Sequence, residues 1–165
     1  MRLDGLIREI LIATDGSETA LEAARIGVDI ASRSRASVTA VYVVDVFRLA
    51  RLPGYAALPG LKEKLLELMR REGERATDEV GSMAIEAGVS FRGILAEGDP
   101  GEELLRIARQ SGADLLIAGS VGRSAIDRFL LGSIAEKVVR QSGVPVLLVP
   151  KKSSGRGAQV DEDAL

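Results

Sequence analysis

Short aliphatic runs that alternate with stretches of helical periodicity leave this chain few folds to choose from. The first is Ile10-Leu11-Ile12-Ala13, and Val38 to Val44, Val89 to Ala96, Asp114 to Ala118 and Pro145 to Val149 follow. A strand that is apolar at nearly every position must be covered on both faces, and such strands belong to parallel sheets whose crossovers are helices. Aromatic residues make up only 3% of the chain, so Val, Ile, Leu and Ala must build the core. Five strands separated by helices predict an α/β fold with a mostly parallel sheet and helices on both faces. Residues 1–150 read as one domain, and the polar, Gly/Ser-rich 151–165 as a flexible tail.

The connecting segments carry their own punctuation. Thr14-Asp15-Gly16-Ser17 ends the first strand, and Ser17 is placed to cap a helix whose apolar positions recur at Leu21, Ala24, Ile26 and Ile30. Between Asp45 and Gly60 the pattern lapses, with Pro53-Gly54 and Pro59-Gly60 marking turns. Leu61 to Ala87 reads as a long helix in which Gly73 and Gly81 invite a bend or break, with Gly88 closing it. Asp99 and Pro100 fit the cap and first position of another helix, with Glu102 and Glu103 in its first turn. A last helix spans Ser133 to Gln141.

Composition removes several classes of chemistry. The chain has no Cys and no His, which excludes thiolate and imidazole catalysis and Cys/His metal sites. Any metal must come with oxygen ligands, for example Mg²⁺ carried on a nucleotide's phosphates. A net charge of −2 gives no basic face for nucleic acid. No run approaches the roughly 18–20 apolar residues that cross a bilayer, and the first residues lack a signal peptide's apolar stretch. A soluble cytoplasmic protein is the expectation.

In an open parallel sheet, ligands bind beyond the carboxyl ends of the strands where the strand order reverses. Two such ends are chemically equipped, Asp15-Gly16-Ser17 and Gly119-Ser120. Gly119 and Gly122 let a ligand approach the backbone, Arg123 adds a fixed cation, and Gly132-Ser133 stands at a helix N-terminus that favours an anion. Ser133 can either cap that helix or donate to a phosphate oxygen. The alternatives are plain: the glycines make turns, Asp15 closes an Asx turn, and Arg123 is a solvated charge. Neither G-x-x-x-x-G-K-[ST] nor G-x-G-x-x-G occurs, so the common NTPase and dinucleotide fingerprints are absent.

Gly119, Gly122, Gly132 and Ser133 match the G-x2-G-x9-G-[ST] spacing of ATP-binding universal stress proteins, and the chain resembles that family from about residue 8 to 151. The flanks agree: Asp114 to Ser120 before the motif, Phe129 to Ser133 within it, Val144 to Val149 after it. Ile10 to Ala20, Tyr42 to Asp45 and Gly98 to Pro100 resemble the family's first three strand exits. The resemblance implies a doubly wound sheet of order 3-2-1-4-5, of the adenine nucleotide alpha-hydrolase-like type. It also implies ATP, or ADP or AMP, with or without Mg²⁺, as the cofactor. In that picture Ala13 and Asp15 lie at the ribose and adenine, and the backbone of Val43 reads the adenine edge. Gly119, Ser120 and Gly122 close on ribose and phosphates, while Arg123, Ser124, Gly132, Ser133 and Ile134 hold the phosphate chain. Two positions depart from the family: Ala13 stands where some members have proline, and Val121 where many have a polar residue, making the loop tip less polar.

The resemblance further implies a homodimer through the last strand, Val144, Val146, Leu147, Leu148 and Val149, an apolar edge of the kind that pairs with a copy of itself. Two functions compete for the site: a nucleotide-dependent regulatory module in the stress response, and a slow ATPase or phosphoryl or nucleotidyl transferase. Phosphoryl transfer needs a group to orient the nucleophile, and the nearby carboxylates, Asp127 and Glu136, fit better as helix-surface charges. The module is the expected reading.

Overall fold

The computed structural model describes residues 6–122 and 131–152. Expectations on Arg123, Ser124, Asp127, Phe129 and most of the polar tail lie outside the described residues. The strands are β1 (Glu9–Ala13), β2 (Ser37–Asp45), β3 (Phe91–Gly98), β4 (Leu115–Gly119) and β5 (Val146–Val149). They pair in parallel in the order β3-β2-β1-β4-β5, as the resemblance implies. The helices are α1 (Glu18–Ser34), α2 (Val46–Ala50), α3 (Leu61–Glu86), α4 (Pro100–Ser111) and α5 (Ser133–Gln141).

Because strand side chains alternate, the sheet feeds two cores. Ile10, Ile12, Val38, Ala40 and Ile117 pack with Ala24 and Val28 of α1 and Val80 and Ala84 of α3. Leu11, Val41, Leu116 and Ala118 face the other way, onto Leu104 and Ile107 of α4 and Val138 of α5. The sheet is thus doubly wound. At its lower end β1 is stitched to both neighbours. The Asp114 carboxylate accepts the N–H groups of Arg8 and Glu9 at 2.8 and 3.0 Å, and the Glu9 carboxylate accepts the hydroxyls of Ser37 and Thr39.

Three sequence expectations shift. α3 runs unbroken through both of its glycines. A Cβ at Gly73 would stand 2.3 Å from Leu95 Cδ1 and 2.6 Å from Tyr42 Cδ1, and one at Gly81 2.8 Å from Phe91 Cε1. The glycines seat the helix close on β2 and β3, and that packing outweighs their low propensity. β3 begins at Phe91 rather than Val89, because the Val89 N–H donates to Ala84 O at 2.8 Å and finishes the helix end that Gly88 turns at φ 68°. Finally, the lapse after Asp45 contains the short helix α2. Asp45 caps it by accepting the Arg48 N–H at 2.9 Å.

Candidate functional site

The β1–β4 ladder ends at Ile12 and Ile117. Beyond it each strand stays with its outer partner: Thr14 N–H donates to Val41 O at 2.9 Å, and Ser120 N–H to Val149 O at 2.8 Å. The two chains therefore part, and a cleft of about 760 Å³ opens over the switch point. It is lined by Ala13, Asp15, Val43, Gly119, Ser120, Gly122, Gly132, Ser133 and Ile134, so the structure brings together every described residue the sequence nominated for the nucleotide.

On the β1 side the turn is held by its own atoms. Asp15 Oδ1 accepts the Ser17 N–H at 2.9 Å, Thr14 Oγ1 accepts the Gly16 N–H at 3.2 Å, and Ser17 Oγ caps α1 by accepting the Ala20 N–H at 3.2 Å. Gly16 sits at φ 76°, where a side chain would be strained. Asp15 thus closes an Asx turn with one oxygen. Its other oxygen faces the crevice: a Cβ on Gly122 would stand 3.0 Å from Oδ2.

The β4 side is built differently. A Cβ at Gly119 would meet Thr19 Cγ2 at 2.8 Å, so glycine lets this exit lie against the start of α1. Gly132 N–H donates to Ser120 O at 2.8 Å, and Gly132 takes the N-cap position of α5 without any side-chain cap. Ser133 is the first helical residue, so its hydroxyl does not cap the helix; of the two roles left open for it, the cap falls away. The amides of Ser133, Ile134 and Ala135 are the first-turn donors that an α-helix leaves without intrahelical acceptors, and all three residues line the cleft. Amide donors and the positive dipole end together suit an anion. Val121 is buried, at 4% exposure, so its apolar side chain packs inward and does not make the loop tip less polar.

α5 is anchored to α4 close to this point. Lys137 Nζ lies 3.2 Å from Asp99 Oδ1 and 2.7 Å from Glu102 Oε1, and the absence of a Cβ on Gly101 leaves its stem room. The Glu102 amide, seconded by Lys137, holds the Asp99 carboxyl below its ordinary range, while the two carboxylates raise Lys137. Sequence reasoning missed one wall of the cleft, formed by Tyr42, Asp45, Arg48, Leu49, Met69 and Glu72. Tyr42 and Asp45 stand in a strand exit that carries the family resemblance, but no pattern assigned them to the cleft, and mid-helix residues of α3 carry no motif.

β5 lies at the edge of the sheet. Val144, Val146, Leu147 and Leu148 are half-buried and Val149 is buried under α1. Among the described residues no helix is long and apolar enough to cross a membrane.

Residues 7–150 match the universal stress protein family. The chain is 40% identical over 148 residues to universal stress protein MJ0531 of Methanocaldococcus jannaschii, covering 90% of this chain and 85% of that protein. The solved structure of MJ0577 from the same organism superposes with a TM-score of 0.79 at 28% identity, over 90% of this chain and 99% of that one. A universal stress protein crystallised in complex with cAMP aligns at TM-score 0.62 and 28% identity, over 87% and 97%.

Proposed function

The chain belongs to the universal stress protein family, and from that premise we propose that its cleft holds ATP, with ADP or AMP as alternatives, and that the protein is a cytoplasmic nucleotide-dependent regulatory module of the stress response. One observation carries the reading: the uncapped N-terminus of α5 and the Asp15 carboxylate converge on one crevice across Gly122. Phosphates suit the first-turn amides of α5, and the nucleoside suits the Ala13, Asp15 and Val43 side. The related complex with cAMP supports an adenine nucleotide there. Mg²⁺, where present, would ride on the phosphates.

The module reading is preferred to an ATPase or transferase on the chemistry of the carboxylates. Glu136 is ion-paired with Arg140 at 3.0 Å on the outer face of α5, and Asp15 is tied into its turn. The β5 edge supports a homodimer, because an apolar edge strand pairs readily with its own copy.

Denaturing the purified protein and weighing the released small molecule should identify an adenine nucleotide. Gly122→Val, whose side chain would press on Asp15, should release little or none; full retention would sink the loop assignment. Steady multiple-turnover phosphate release with Mg²⁺ at about 1 s⁻¹ or faster would overturn the module reading. A monomer by sedimentation at micromolar concentration would remove the dimer.

A further inference from the structure

The two ends of the cleft have opposite hydrogen-bonding character. At the β4–α5 end the backbone offers donors. At the β2 end the wall carries two carboxylates, Asp45 and Glu72. Apolar surface there comes from Tyr42 and Leu49, both buried, and from half-buried Met69. Glu72 reaches this wall because its neighbour Gly73 seats α3 directly on Tyr42 and Leu95. Asp45 is fixed by its cap on α2. Arg48, the one cation among the described lining residues, is exposed. A ligand matched to this polarity has an anionic tail and a flat, apolar head that carries hydrogen-bond donors.

We propose that Glu72 selects the base of the nucleotide by accepting a hydrogen bond from its exocyclic amino group, so that the cleft takes amino-bearing bases and refuses those with a carbonyl in that place. The inference rests on the nucleotide-binding reading above. A carboxylate is an acceptor only, with room for several bonds, so its contacts within the protein leave capacity for a ligand. A carbonyl at the same point sets acceptor against acceptor in a partly desolvated wall, which is how a site rejects a close analogue. Leu49, Met69 and the Tyr42 ring supply the adaptable apolar surface a base needs.

ATP and ITP differ at this edge of the base: the amine of one is the carbonyl of the other, and N1 carries a hydrogen only in ITP. Calorimetric titration of the full chain with each gives a ratio of dissociation constants, ITP over ATP. In Glu72→Gln, whose amide can donate to a carbonyl, that ratio is expected to fall by about tenfold or more, mainly through tighter ITP binding. Glu72→Met, which removes the acceptor without adding a donor, should weaken ATP and, by lifting the clash of acceptors, tighten ITP less than Glu72→Gln does. A merely structural residue would weaken both nucleotides alike. An unchanged ratio in both variants overturns the assignment of Glu72 and leaves nucleotide binding standing. If the unaltered protein binds neither nucleotide, the cleft reading itself falls, and this inference with it.

Discussion

The turn after β1 and the loop after β4 stand side by side over one crevice, yet they satisfy their polar groups in opposite ways. The β1 turn is self-contained: Thr14, Asp15 and Ser17 side chains take the N–H groups of Gly16, Ser17 and Ala20. Among the described residues the β4 exit is tied to α5 through backbone, the Gly132 N–H donating to Ser120 O, and α5 starts without a side-chain cap. The amides of the β1 turn are bonded within it, whereas the first-turn amides of α5 have no acceptor inside their own helix. A self-satisfied turn makes a wall, whereas a helix start lacking a cap makes a receptor.

The sharpest way to break that contrast is Ser133→Pro. Proline is tolerated at the first helical position and removes one first-turn amide donor, leaving the helix intact. Hydrogen bonds to charged groups are worth about 1.5–3 kcal/mol, so ATP affinity should fall roughly 10–100-fold by calorimetry with little change in melting temperature. Unchanged affinity would show that the amide is no receptor. Next in size, Ser17→Ala removes the cap of α1 and should cost about 1 kcal/mol in chemical denaturation, with affinity per folded molecule nearly constant. A parallel loss of affinity would mean that the β1 turn is more than a wall.

The smallest effect lies at the other end of the same two strands. The Arg8 and Glu9 amides hold the Asp114 carboxyl below its reference value of 3.8. A carboxyl depressed in the folded state stabilises it above the unfolded pKa, and that contribution disappears as pH falls through the folded value. Urea midpoints measured from pH 6 to pH 3 should therefore drop below about pH 4, and less steeply in Asp114→Asn. Nucleotide affinity at neutral pH should stay the same in that variant, because the stitch lies far from the crevice.

Strand identities were legible because each is a bounded aliphatic run, and α4 was legible because Asp99 and Pro100 mark its start. The strand order came through resemblance, since no local pattern states that β1 pairs with β4. Gly73 and Gly81 misled: propensity sees a weak helix, while the tertiary partners Tyr42, Leu95 and Phe91 require the missing side chains. The glycine half of the site was readable from spacing, and Asp15 from its turn. The Met69–Glu72 wall was not, because α3 presents those residues to the cleft only after it docks on the sheet. Val121 looked like a loop tip for the same reason, its inward packing being a fact of three dimensions.

The strand order also sets a timetable. β1 lies in the middle of the sheet, but the groups that stitch it to the start of β4 are 105 residues apart in the chain. At about 5–20 residues per second of synthesis, β1, α1 and β2 exist together for roughly 4–14 s while one edge of β1 stays bare. A bare central edge is a template for pairing with other chains, so the nascent protein passes through its most aggregation-prone form before β4 arrives. The cleft is assembled in the same late step, once β4, α5 and β5 have docked. A chain stopped short of β4 would therefore be both sticky and unable to bind, and completion removes the two defects together.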